Sequence, residues 1–155
     1  MNLHFINSPE KRKIVACLNE QFGINELPYL LIESGKEKIR GFSGSLSREE
    51  ISELSRIVPI ESIGIYLLKK EFDWRLSLDA TTILKNQISK NTIEITDKQL
   101  EEWIRGFDLD IKYNDKCTIV IKHGNDLIGC GKSNNQKIFN YLPQERRIKS
   151  RLKID

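Results

Sequence analysis

The chain has 155 residues, 39% of them hydrophobic and 30% charged, a balance that suits a folded protein and is too apolar for a disordered one. Apolar runs such as residues 63–68 stop far short of the roughly 18 residues a membrane span needs. The opening Met-Asn-Leu-His-Phe-Ile has no basic flank and no long apolar core, so neither a signal peptide nor a membrane partner is expected.

In chain order, Ser8-Pro9-Glu10 predicts an N-cap with proline in the first helical turn. Ile14, Val15, Leu18 and Phe22 continue at helical spacing until Gly23. "YLLIESG" and "KIRGFSG" follow as two extended runs with glycine turns. Ser47-x-x-Glu50 is a capping box ahead of Ile51, Leu54 and Ile57, and Pro59 stops that helix. "SIGIYLLKKE" and "WRLSLD" predict strands, and Asp79 is expected to cap a third helix over Ala80, Ile83, Leu84 and Ile88. Residues 1–90 thus form an α+β unit, with a polar join, "ISKNT" (88–92), behind it. "TIEIT", a capping pattern at Thr96-x-x-Gln99 and a helix with Leu100, Trp103, Ile104 and Phe107 come next, with Gly106 near its end. "CTIVIKH", "LIGCGK" and "KIFNYL", joined by "GND" and "SNNQ" turns, are hairpin signals of a small β-domain over 91–155.

Charge is divided unevenly between the two units. Residues 1–111 hold 15 Lys/Arg against 18 Asp/Glu, and residues 112–155 hold 10 against 4. Arg146, Arg147, Lys149, Arg151 and Lys153 stand against the single acid Asp155 in the last stretch. Polyanions are the usual partners of such a segment, and a solubilising tail is the plain alternative. Three cysteines, Cys17, Cys117 and Cys130, suit a reducing, cytoplasmic setting better than a disulfide framework.

Gly129-Cys130-Gly131-Lys132-Ser133 carries the second half of a phosphate-loop motif. The first glycine of that motif would stand at Asp126, and no helix can follow before Pro143, so the glycines are read as bends or close approaches in a strand. Cys117, His123 and Cys130 are spaced C-x5-H-x6-C, which fits no usual zinc pattern. Cys117 and Cys130 read as small buried hydrophobes, and with no orienting carboxylate evident for His123 no catalytic group is expected. No metal and no cofactor is implied.

The stretch "TIEITDKQLEEWIRGFDLDI" and then "CTIVIKHGNDLIGCGKSNNQKIFNYLPQERRI" resembles a PUA-type RNA-binding domain. It is most similar to the PUA domain at the C-terminal end of Nop/Sun-family RNA cytosine-5 methyltransferases. The likeness rests on Arg105-Gly106-Phe107-Asp108 after the helix, on Gly129 and Gly131 in one strand, and on Asn140 to Pro143 with Arg146 or Arg147. The overall layout also resembles the Nip-type ribosome-biogenesis proteins, in which an α+β domain precedes the PUA domain, and "WRLSLDATTIL" is similar to the segment that closes that first domain.

The resemblance implies a pre-PUA-like α+β domain over 1–90 and a small β-barrel over 91–155. It implies RNA binding, to rRNA or tRNA, with an RNA methyltransferase or a ribosome-assembly protein as further partner. Methyl transfer is not expected of this chain alone, because it has no SAM-binding glycine loop and no Pro-Cys motif. The implied RNA face comprises Arg105, Gly106, Lys132, Lys137, Arg146, Arg147, Lys149, Arg151 and Lys153. Gly106 is equally readable as a plain helix C-cap, Lys132 and Lys137 as solvated turn lysines, and Tyr141 as core rather than a stacking platform. The remaining functional reading is a protein–protein adaptor in ribosome assembly whose basic tail is incidental.

Overall fold

The computed structural model describes residues 3–149, so Arg151 and Lys153 lie outside the described residues. Helix α1 (Ser8–Phe22) is capped by Asn7 rather than Ser8: the Asn7 side chain accepts from the Glu10 amide at 2.9 Å. The two residues compete for the same amides, and Asn7 holds the extended backbone a cap requires (φ −77°, ψ 169°). Ile14, Leu18 and Phe22 bury one side of α1, and Gly23 ends it in the left-handed region at φ 86°.

Strands β1 (His4–Phe5), β2 (Leu30–Ser34), β3 (Lys38–Phe42), β4 (Ile65–Lys70) and β5 (Trp74–Leu76) form one antiparallel sheet in sequence order. Helix α2 (Arg48–Ile57) lies between β3 and β4, and its Ser47–Glu50 capping box is complete in both directions. Helix α3 (Leu78–Ile83) starts at Ser77, not at Asp79. The Ser77 hydroxyl accepts from the Ala80 amide at 3.0 Å and donates to the Tyr66 carbonyl at 2.6 Å. That leaves Asp79 in the first turn, a favourable place for a negative charge.

The second unit contains β6 (Thr92–Glu94), α4 (Asp97–Ile104), β7 (Thr118–His123), β8 (Asp126–Ser133) and β9 (Ile138–Asn140). They form a four-stranded sheet in the order β6-β7-β8-β9, with β6 parallel to β7 and the other pairs antiparallel. The hairpins expected at "GND" and "SNNQ" are present. The expected β-barrel is not: both sheets are open among the described residues. Physically, β6 and β9 are only three residues long, and helices and core take the place of strands in covering the faces.

"TIVI" is buried at every position because β7 is covered on both sides. Val120 and Cys130 face the core that holds Leu18, Phe22, Leu76 and Leu84. Ile119, Ile121 and Ile138 face Trp103, Leu109 and Leu142. The Gly-Cys-Gly run is mid-strand. A Cβ on Gly131 would lie 2.9 Å from the Trp103 ring and 2.5 Å from Ile138, so glycine is what lets α4 close on the sheet. The Gly129 amide, at φ 76°, donates to Thr81 Oγ1 at 3.1 Å, so it is spent inside the protein rather than on a phosphate.

Candidate nucleic-acid interface

Helix α4 begins with a full Thr96–Gln99 capping box and ends at Arg105, where Gly106 turns the chain at φ 93°. The turn is held from outside by Asn140. Its Nδ2 donates to the carbonyls of Trp103 at 2.8 Å and Phe107 at 2.9 Å, and its Oδ1 accepts from the Leu142 amide at 2.9 Å. The Asn140 amide in turn donates to Asp108 Oδ1 at 2.8 Å. The Asn-Tyr-Leu-Pro motif is therefore a strut that fixes the loop after α4, satisfying backbone groups that would otherwise be orphaned at a helix end.

Beyond Pro143 a 3₁₀ turn (Gln144–Arg146) brings the chain back beside α4, where the Ile148 amide donates to the Ile104 carbonyl at 2.9 Å. Arg147 Nε donates to the Leu142 carbonyl at 3.0 Å while its stem lies over Gly106. A Cβ on Gly106 would come within 2.5 Å of Arg147 Cδ, so glycine here makes room for an arginine stem. Arg105, Gly106 and Arg147 thus share one edge, with exposed Lys149 following. Arg105 sits 5.1 Å from the centroid of the Phe107 ring, and Phe107 is 52% exposed.

The other candidate cations are each engaged. Lys137 lies 3.5 Å from Asp108 Oδ2 and 4.8 Å from the Phe139 centroid. Arg146 pairs with Asp79 at 3.2 Å, reaching the start of α3. Lys132 Nζ is 3.1 Å from Asp73 Oδ1, and Asp73 also accepts from the Thr118 amide at 2.6 Å and the Thr118 hydroxyl at 2.8 Å. Burial pushes the Asp73 carboxyl up, but the Thr118 bonds and Lys132 together outweigh it, so its pKa ends below the ordinary value. Lys132 is in this way a brace between the two sheets. The structure brings together Arg105, Gly106, Lys137, Arg147 and Lys149 along the α4–β9 edge, and turns Lys132 and Arg146 toward the first unit.

The sequence pattern places Phe107 in the helix with Leu100, Trp103 and Ile104, and Phe139 in the strand run "KIFNYL", without a binding role for either. Phe107 falls after α4 and is half-exposed, and Phe139 pairs across the ladder with Lys132 and packs under Lys137. The signal was present as a repeated cation-x-Phe pattern, Arg105-x-Phe107 and Lys137-x-Phe139. Tyr141 is neither free nor fully buried, for the Arg75 guanidinium covers its ring at 4.5 Å. Two of the three thiols offer little nucleophile: burial pushes Cys117 up and Cys130 up to about 12. His123 has a carboxylate partner after all, with Nε2 2.7 Å from Asp97 Oδ1.

Residues 90–148 match the family model of the Methyltransferase RsmF PUA domain, a stretch of under half the chain. Residues 90–148 are a PUA-like domain. Its strand with Gly129 and Gly131, its loop after α4 and its Asn140 strut all lie within the matched stretch, and a PUA-like domain points to RNA as the partner. No curated protein matches the chain.

Proposed function

We propose that the chain is a non-catalytic, cytoplasmic RNA-binding protein acting in rRNA or tRNA maturation, where it presents RNA to a separate modifying enzyme. The observation that carries this reading is the pair of cation–phenyl stacks, Arg105 on Phe107 and Lys137 on Phe139, set along one edge of the PUA-like domain beside Arg147 and Lys149. A guanidinium lying on a ring keeps its N–H edge free for phosphate, and an exposed phenyl face accepts an unstacked base. The combination suits single-stranded or looped RNA, whose bases are splayed, more than a regular helix. The raised thiols of Cys117 and Cys130 support the non-catalytic half of the reading.

The test is fluorescence anisotropy of labelled tRNA and of rRNA helices and loops over a salt series. Intact protein is expected to bind with a steep salt slope, each neutralised phosphate adding about 0.7–0.9 to it. The Arg105→Ala, Arg147→Ala double variant is expected to lower both affinity and slope. Phe139→Ala is expected to lower affinity while leaving the slope unchanged. Absence of binding even at low salt would overturn the proposal.

A further inference from the structure

A cleft of about 740 Å³ lies on the first unit between α1, the β1–β3 side of the sheet and the β4–β5 turn. Its floor is apolar, with Ile6, Ile14 and Trp74 among its lining. Its rim is acidic. Glu10 and Glu20 line it from α1, Glu33 from β2 and Glu37 from the turn before β3, against Lys13 and Lys70. Among the described residues Glu10, Glu20 and Glu37 make no ion pair, and Glu33 has His4 at 3.6 Å. At the mouth stands Phe72, 94% exposed.

We propose that this cleft docks a basic peptide segment of a partner protein, one that sets an apolar or aromatic side chain against Phe72 and Trp74 and lysines or arginines against the glutamates. The charge of the rim selects the partner. Four glutamates against two lysines, with the fifth carboxylate, Asp73, already paired to Lys132, repel RNA and anionic lipid and attract a cationic chain. Its extent selects a peptide over a small cation. Glu10 and Glu20 lie on one helix about 15 Å apart along the axis, the reach of four or five extended residues.

The aromatic anchor is also held in place. Asp73 is tied to Thr118 and Lys132, Glu71 to Lys69 at 3.2 Å and Arg75 at 3.3 Å, and the Trp74 backbone to Gln21 at 2.7 and 3.1 Å. Phe72 therefore projects from a turn fixed on both sides, and an exposed phenyl on a rigid mount costs little entropy when a partner covers it. The inference does not depend on RNA binding at the α4–β9 edge.

The experiment uses random peptides of about strand length displayed on phage and selected on the intact chain. Cys17 lines the cleft and is exposed, whereas burial holds the Cys117 and Cys130 thiols up, so a maleimide reports on Cys17. Recovered sequences are expected to carry an aromatic or aliphatic residue flanked by Lys or Arg, and a synthetic copy is expected to slow Cys17 labelling. The Glu20→Gln, Glu37→Gln double variant and Phe72→Ala are each expected to weaken that peptide about tenfold. All three side chains are exposed, so thermal stability and tRNA affinity should stay at the intact level. Peptides recovered without basic bias, or binding the variants as tightly as the intact chain, would overturn the proposal. So would tRNA that slows Cys17 labelling, since the cleft would then be a nucleic-acid site.

Discussion

The two sheets use their faces in different ways. In the four-stranded sheet, residues 118–121 of β7 are buried in succession, with α4 and Trp103 on one side and the core of the first unit on the other. No face is left open, and the cations and rings of Arg105, Phe107, Lys137, Phe139 and Arg147 stand at an edge and its loops. The five-stranded sheet is less completely covered, and the space beside α1 remains as an acidic cleft. A sheet buried on both sides presents cations at its margin, whereas a partly covered one can take a partner into its surface. The opposite charge of the two halves follows the same division, basic at the margin and acidic around the cleft.

Trp103→Ala should disturb this arrangement most. The ring is fully buried, lies against Gly131 and donates from Nε1 to the Ile128 carbonyl at 2.7 Å. Truncation leaves a large cavity and an unpaired acceptor, at an expected cost of about 3–5 kcal/mol, measurable by urea denaturation. If the cost were instead small, the covered face of the second sheet would be less tightly packed than the comparison requires.

Asp73→Ala comes next, because it cuts the brace between the sheets and strands the Thr118 amide and Lys132. The expected loss is about 2 kcal/mol. Its pH dependence sharpens the point. The carboxyl is held below its ordinary value of 3.8, so its stabilisation is present above that value and is lost as pH falls through the lower folded one. Denaturation curves from about pH 7 down to about pH 2 should show the variant lacking that part of the acid-induced loss.

Arg146→Ala should have the smallest effect on stability. Its pair with Asp79 leaves both side chains nearly half exposed, at 47% and 48%, so a thermal melt should register under about 0.5 kcal/mol. Its effect on RNA affinity decides whether the basic edge extends past Arg147 toward α3 or stops there.

Much of the fold was legible because its determinants are local. The capping boxes at Ser47 and Thr96, the stop at Gly23 and the two hairpin turns each involve residues within a few positions of one another. The misplaced caps, Ser8 for Asn7 and Asp79 for Ser77, were choices between acceptors one or two positions apart that only backbone geometry separates. The barrel was not foreseeable as an open sheet, since the apolar run of β7 looks the same whether strands or helices cover it. The candidate site was legible as a composition, basic and glycine-bearing, but not as a geometry. Phe107 was expected on the helix because its spacing from Trp103 is helical, yet the helix ends before it.

By itself the sequence determined the order of elements, the division of charge and the likeness to a PUA-type domain, because propensity, capping and periodicity act over a turn or a strand. Tertiary structure alone decided which cations stand free. Lys132 meets Asp73 from 59 positions away, and Arg146 meets Asp79 from 67. Whether a lysine binds RNA or braces the fold depends on which carboxylate the packing of two sheets brings within about 3–4 Å, and no local pattern encodes that distance.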